Sequence, residues 1–528
     1  MTFDIIITQQ ARELAASLDF RQLLQQVCCP SYQKERVQDM AGFGSMFFHP
    51  DDMEELKGHI RGFKESCSIP PFIVSDLECG AGSMVRGATV FPSAMAISQT
   101  NSPELAYEAG RIAAEEAGEL GYNWTFSPVV DLACEPDSPV VGLRSPGADP
   151  DHAAVMAGAY MRGLQDHGMM ATIKHFPGDG HSTYDQHLTT PENLLDMDTW
   201  REQSGKVFMR LIEEGAMCVM PGHIAFPAYD ERDAALGLYP PATLSRRLLQ
   251  DLLRGELGFK GLIVSDAIGM GGAVGFASYY DACALALENG CDCLLFPKID
   301  EIFYTEMQCR VDRGMLTLEA LRERAARILS LKEQLGILKP DTRPLFKTDK
   351  EKNRQISDAV VEQSITVIRD RKSRIPFSIH EDTRILHVTI MNDAEEHKEM
   401  LEDLQNGIRA YTGQLDCWVD PGPDALFEAA IHNRYDLIIC SIGSELSYGL
   451  NVVRLHGRVA RNMMQGWMKL DTPVIFVAHF HPFIHREYQA SADTVINTYG
   501  NTAHTAKCLM EGITGKRELS RTLHVHSR

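Results

Sequence analysis

Two short stretches concentrate residue types suited to acid–base and nucleophilic chemistry. The first is KHFPGDGHSTYDQHL, residues 174–188, with one lysine, three histidines (His175, His181, His187) and two aspartates (Asp179, Asp185) directly after an apolar run. Glycines at 178 and 180 permit tight loop geometry there. A polar surface loop is the plain alternative, but such loops seldom follow a buried strand with Lys and His still inside its apolar register. His and Asp also ligate metals, yet their irregular spacing on a loop does not make a metal site. The second stretch is GFKGLIVSDAIGMGGAVG, where Asp266 follows a nearly all-apolar run and stands at the C-terminal rim of a strand. Taken alone, an aspartate there reads as a helix N-cap. The glycines at 269, 271, 272 and 275 lack the spacing of a dinucleotide loop, and no ribose-binding acid follows at the expected distance.

These stretches need elements to hold them. From Met40 to Pro297, apolar runs alternate with amphipathic helical patterns; the runs are MAGFGSMFF, PPFIVSDLE, NWTFSPVVDL, MMATIKHFPG, AMCVMPGHI, GLIVSDAIG and CDCLLFP. Near-continuous hydrophobicity with polar residues at the C-terminal end marks a buried parallel strand. Between them lie helix patterns such as SPELAYEAGRIAAEEAGELG, whose Ser102 and Pro103 suit an N-cap and first turn. Seven such strands predict an α/β fold with an N-terminal (β/α)8 TIM-type barrel and one strand unplaced. A doubly wound open sheet is the alternative. The barrel is preferred because the strand ends repeatedly present Asp, His, Lys and Arg, and a barrel converges those ends on one face.

The helix TLEALRERAARILSLKEQLGIL closes the first domain, residues 1–338. The polar, Pro-containing stretch KPDTRPLFKTDKEKNRQ then predicts a linker over 339–357. A second α/β unit, a C-terminal α/β sandwich, is expected over 358–528, with strands in SITVIRD, TRILHVTIM, YDLIICSIGSE, TPVIFVAHF and ADTVINTYG.

A chain of 528 residues exceeds what one core supports, which agrees with two domains. Its 44% hydrophobic and 23% charged residues are ordinary for a globular protein. No apolar run approaches the length of a transmembrane helix, so no membrane partner is expected. The N-terminus lacks the basic start and apolar run of a signal peptide. A net charge of −21 argues against a nucleic-acid partner, because phosphate binding needs a basic face. The 13 cysteines are scattered through apolar stretches, and Cys291 and Cys293 have no matching pair elsewhere, which is poor zinc spacing. Free core cysteines in a reducing compartment are the better reading, and a cytoplasmic location follows. No metal and no other cofactor is expected.

LIVSDAIGM together with KHFPG…DQH resembles glycoside hydrolase family 3, and especially its β-N-acetylglucosaminidase (β-N-acetylhexosaminidase) branch. FSPVVDL at 126–132, VVGLRSPGADP at 140–150 and MPGHIAFPAYD at 220–230 extend the resemblance in the right order. It spans the whole chain, because family members often carry a second α/β domain ending in segments like INTYGNTAHTAKCLMEGITGKRELSRTLHV. The resemblance implies that Asp266 attacks the anomeric carbon and forms a glycosyl-enzyme intermediate. It implies an Asp-x-His pair as the proton shuttle, with His187 as acid/base and Asp185 orienting it. It further implies a sugar-binding set of Asp76, Arg144, Lys174 and His175, with Arg86 and His223 as additional matches. The segment containing Arg86 differs in length from the usual DQEGGRVQR pattern. Where members commonly read KHFPGHGD this chain reads KHFPGDGH, which opens a share of the proton transfer to Asp179 or His181.

The expected function is exo-acting removal of a terminal β-linked N-acetylglucosamine or close N-acetylhexosamine. The partners are then carbohydrates: muropeptide fragments of the cell wall or chitin-derived oligosaccharides. A β-glucosidase or β-xylosidase of the same family is the nearest rival; those members usually take their acid/base from a glutamate in the second domain, and the Asp185–His187 pair argues against that route. A glycoside phosphorylase is a variant, since a neutral imidazole does not repel an incoming phosphate. A non-catalytic sugar sensor on the same fold is the reading from another class. Three roles are open to the second domain: completing the pocket wall, binding a partner surface, or forming a homodimer.

Overall fold

The computed structural model describes residues 2–339 and 348–525. In the first part, eight short strands build the main ladders: β1 Cys28–Cys29, β2 Ser45–Phe47, β3 Phe72–Ser75, β4 Trp124–Thr125, β5 Thr172–Phe176, β6 Cys218–Pro221, β7 Leu262–Ala267 and β8 Cys293–Leu295, while the two-residue strands Asp51–Asp52 and Val85–Arg86 pair separately. Ladders join β2–β3–β4 and β5–β6–β7–β8–β1, all parallel. Parallel bridges Trp124↔Met170 and Ser31↔Phe47 join the two groups at both ends, so the strands close into a ring. The predicted barrel is therefore present, and its unplaced strand is β1. Only two residues of β1 pair, and Val27 alone separates them from the helix Phe20–Gln26, so in sequence VCC reads as a continuation of that helix.

The barrel strands are short and buried, Ala267 at the end of β7 excepted, because their aliphatic side chains meet helices on one side and the barrel interior on the other. The surrounding helices start where the sequence marks them. Ser102 caps the helix Pro103–Leu120 by accepting from the Leu105 amide, with Pro103 in the first turn. Asp149 does the same for the helix Pro150–Asp166, and these two helices pack closely against each other.

The second part is a six-stranded sheet. Its strands are β9 Thr366–Asp370, β10 Ile385–Ile390, β11 Leu415–Val419, β12 Leu437–Ile442, β13 Val474–Ala478 and β14 Thr494–Asn497, in the order β9-β14-β13-β12-β10-β11. Only β9 runs antiparallel to its neighbour. Separate apolar clusters cover the two faces, one around Leu404, Ile439, Ile475 and Leu509, the other around Leu426, Ile438, Trp467 and Phe476. This is the expected α/β sandwich.

Part of the predicted linker is ordered differently. The helix Lys350–Ser364 begins inside it, with Asp349 capping through the Lys352 amide, and packs on the helices Ala94–Gln99 and Pro103–Leu120 of the barrel. Asn353 Nδ2 donates to the buried Glu116 at 2.8 Å. Lysines, arginine and glutamates on its outer face hide the helical period in the sequence. Residues 340–347 of that linker lie outside the described residues. The chain end returns to the barrel, where Gln99 donates to the Thr522 carbonyl and accepts from the His524 amide.

Three histidines, His387, His479 and His481, are buried inside the second domain, and His485 is half-buried beside them. Ser441 Oγ bridges His387 Nε2 (3.0 Å) and His479 Nε2 (3.1 Å). Burial pushes His387, His481 and His485 down to about 4 and His479 to about 3. They stay neutral in the folded chain, while the unfolded chain takes up protons below the free value of about 6.5, so the unfolded state binds more protons as pH falls. The stabilisation is complete above about pH 6.5 and is lost progressively toward pH 4, with a slope of up to about 1.4 kcal/mol per pH unit for each group. The urea midpoint of the second domain is expected to drop steeply over that window, and His387→Asn to flatten the drop. A midpoint constant from pH 6.5 to 4 would reject this account.

Candidate active site

The C-terminal strand ends converge as a barrel requires. Asp266 lies within β7, Asp76 directly follows β3, Asp131 follows β4, and Lys174 and His175 belong to β5. The pairing of β5 with β6 is irregular between Lys174 and Phe176. Such an irregularity re-aims side chains, and the consecutive Lys174 and His175 both face one cavity of about 680 Å3. Asp76, Glu78, Arg144, His187 and Asp266 line the same cavity.

Four of the cavity groups form an ionic lattice. Lys174 Nζ donates to Asp76 Oδ1 at 2.9 Å and reaches Glu78 Oε1 at 2.7 Å, while Arg144 grips Glu78 with two bonds of 2.9 Å. Burial works against the Glu78 charge, but Arg144 and Lys174 outweigh it and hold the carboxyl well below its usual range. Asp76 has lone pairs left to accept hydrogen bonds in the cavity, and Lys174 and Arg144 have N–H groups left to donate there. That is a fixed set of donors and acceptors for vicinal hydroxyls.

Asp266 lines the same cavity and is only 8% exposed. Its Oδ1 accepts from the Ala267 amide at 2.7 Å, and Oδ2 lies 3.8 Å from His175 Nε2. Burial raises its pKa, but His175, His223 and the Ala267 amide prevail and keep the carboxylate charged. Asp131 orients His175: Oδ2 accepts from Nδ1 at 2.6 Å, and Oδ1 takes the backbone N–H of both His175 and Asp179. The result is an ionised, nearly dry carboxylate in a rigid setting, which is what a nucleophile needs.

The loop after β5 brings the Asp-x-His pair to the cavity edge. Asp185 Oδ1 receives both the backbone N–H of His187 (2.8 Å) and its Nδ1 (2.7 Å). Asp185 is held below the usual carboxylate range because these bonds, with one from Gly449, outweigh burial. As an ionised carboxylate it only accepts, so Nδ1 is the donor and Nε2 is left for proton transfer. The loop is pinned by the segment following Asp266, where Gly271 donates to the His187 carbonyl and Gly272 to that of Gln186. A Cβ at Gly271 would stand 2.4 Å from the Leu188 carbonyl oxygen and one at Gly272 2.7 Å from that of Gln186, which explains the glycines that do not form a nucleotide loop.

Of the residues expected from sequence, Asp266, His187, Asp76, Arg144, Lys174 and His175 line the cavity together, with Asp185 buried behind His187. Two stand elsewhere. Arg86 is exposed on a two-residue strand whose inward position belongs to Val85, and it does not line the cavity. His223 is fully buried, its Nε2 3.0 Å from the Ala267 carbonyl, so it steadies the strand that carries Asp266. Neither exchanged residue reaches the cavity. Asp179 sits behind Asp131, with burial and that neighbouring charge raising it to about 7, and His181 bonds Ser204 at 2.9 Å. Glu78 and Asp131 were missed as site residues. Each had a signal: two cations aimed at one buried place need a counter-charge, and Asp131 ends an apolar run as Asp76 and Asp266 do.

The second domain closes the remaining wall. Glu445, Leu446, Tyr448, Phe480 and Asn501 line the same cavity. Glu445 is raised by burial and stands 3.5 Å from His397, which in turn meets Asp393. Completing the pocket wall, one of the three roles open to this domain, is performed by this geometry.

Residues 21–331 match the Glycosyl hydrolase family 3 N terminal domain. A Beta-N-acetylglucosaminidase/beta-glucosidase of Cellulomonas fimi is 30% identical over 486 residues, covering 87% of this chain and 84% of that protein. A Beta-hexosaminidase of Pseudomonas aeruginosa is 36% identical over 246 residues, 46% of this chain and 70% of its own length. Among solved structures, the Beta-glucoside phosphorylase BglX bound to 2FGlc superposes with a TM-score of 0.86 at 25% identity, covering 98% of this chain and 97% of that one. A family 3 beta-N-acetylglucosaminidase from Paenibacillus sp. shares the fold at a TM-score of 0.82 and 22% identity, covering 97% of this chain and 99% of that one.

Proposed function

The chain belongs to glycosyl hydrolase family 3 and is a glycoside hydrolase, and from that premise we propose a retaining exo-β-N-acetylhexosaminidase that releases terminal β-linked N-acetylglucosamine. The observation that carries this reading is the Asp185–His187 pair at the edge of the cavity that holds Asp266. Asp266 attacks the anomeric carbon as the imidazolium of His187 gives its Nε2 proton to the departing oxygen. In the second half, neutral His187 takes a proton from water, which displaces Asp266 with net retention. The Asp76–Glu78–Arg144–Lys174 lattice holds the hydroxyls of the terminal sugar, which supports exo-action. We infer muropeptide or chitin-derived fragments as the natural substrates and the cytoplasm as the setting. Thirteen free thiols support the reducing compartment, and no helix among the described residues is long and apolar enough to cross a membrane.

A panel of p-nitrophenyl β-glycosides tests the reading. The N-acetylglucosaminide is expected to turn over fastest, with His187→Ala reducing its turnover by about 10^2- to 10^4-fold. Preference for the glucoside or xyloside, with indifference to His187, would overturn it and direct attention to Glu445. No turnover of any glycoside, with analogues still bound, would support a sensor. A phosphorylase is the second reading, favoured by the imidazole acid/base, which leaves the acceptor side free of a carboxylate that repels phosphate, and by the likeness to BglX. Orthophosphate would then accelerate turnover and yield the glycosyl 1-phosphate.

A further inference from the structure

The loop over residues 443–456, between β12 and the helix Gly457–Ala460, leaves its own domain and lies on the catalytic loop of the barrel. Arg454 anchors it to Asp137 at 2.5 Å. Two of its residues touch the Asp185–His187 pair directly. The Gly449 amide donates to Asp185 Oδ2 at 2.6 Å, and the Tyr448 ring stacks on the His187 imidazole with centroids 4.7 Å apart and planes 26° from parallel.

These contacts meet needs that the barrel leaves open. Asp185 is 1% exposed, and its Oδ1 is spent on His187. Among the described residues Oδ2 has the Gly449 amide as its hydrogen-bond donor. Without that donor a buried carboxylate oxygen would stand unsatisfied, and the carboxylate would turn. Gly449 reaches it from φ +78°, a left-handed conformation that a glycine adopts freely. Among the described residues the imidazole is hydrogen-bonded through Nδ1, and it is still free to swing about that bond. A ring packed on its face removes this freedom.

We propose that Tyr448 and Gly449 are positioning residues for general acid catalysis, so that the acid/base pair works only with the second domain docked on the barrel. The nucleophile, by contrast, is held by the barrel alone. This rests on the assignment of Asp185 and His187 as the acid/base pair.

The test is the dependence of kcat/KM on the leaving group. A 2,4-dinitrophenolate departs without a proton, whereas methylumbelliferone and a sugar alcohol depart progressively more with one. Tyr448→Ala, and Gly449→Pro, which lacks the N–H and cannot adopt φ +78°, are expected to lose about 10- to 100-fold on the sugar alcohol and less than about threefold on the dinitrophenyl glycoside. Tyr448→Phe keeps the ring and is expected to behave as wild type. Equal losses on all leaving groups, or no loss on any, would overturn the proposal. His187→Ala run beside them separates the two levels. If it shows the leaving-group dependence and the loop variants do not, only the positioning role fails. If it does not, the acid/base assignment fails and the proposal with it.

Discussion

Asp266→Asn is expected to turn over an aryl β-N-acetylglucosaminide about 10^4- to 10^6-fold more slowly than the wild type, the scale on which a covalent nucleophile is lost. The amide has the same shape and keeps an oxygen for the Ala267 N–H bond, so the strand end remains in place. It lacks the charge that His175 and His223 help to maintain at that site. Binding of the sugar should survive, because the ionic lattice of Lys174 with Asp76 and Glu78 does not include Asp266. Turnover and product affinity measured together check this. A variant retaining a tenth of the wild-type rate would remove Asp266 from the nucleophile's role.

The largest effect on stability is expected at the opposite end of the barrel. Asp292, fully buried, serves three arginines: Arg254 at 2.8 Å, Arg327 at 3.1 Å and Arg324 at 3.6 Å. It also accepts from the Ile263 amide at 2.9 Å, where β7 begins. Burial opposes its charge, but the three guanidinium groups prevail and hold it below the usual carboxylate range. Asp292→Ala would leave these cations crowded together without their counter-ion, at a cost of about 3–5 kcal/mol. Denaturant unfolding followed through the barrel's buried tryptophans reads that loss. A variant destabilised by less than about 1 kcal/mol would show that the arginines are satisfied by the Lys260 and Gly261 carbonyls instead.

Much of this molecule is legible without its structure. Seven apolar runs ending in polar residues are enough to predict a barrel, because burial on both faces demands continuous hydrophobicity and the C-terminal rim demands a change. The rim residues then name themselves: Asp76, Lys174, His175 and Asp266 are the polar groups inside or just beyond those runs, and the DQH segment lies on the loop between two of them. The two-domain division follows from a second series of such runs. These features depend on neighbours in the chain, so local pattern carries them.

What only the tertiary structure decided depends on groups distant in sequence. Strand β1 is identified by its partners β8 and β2, since two cysteines carry no period. Glu78 became a site residue through Arg144 and Lys174, 66 and 96 positions away, whose charges a buried place has to balance. Arg86 left the site because alternation along a two-residue strand turns it outward, a sense that the surrounding segment does not reveal. The hold of Gly449 on Asp185 spans 264 residues and two domains. A backbone amide is the same in every residue, and no side-chain pattern announces where one will point. The types of group needed for the chemistry are written along the chain, while their geometry is set by which buried charges and amides the fold brings within bonding distance.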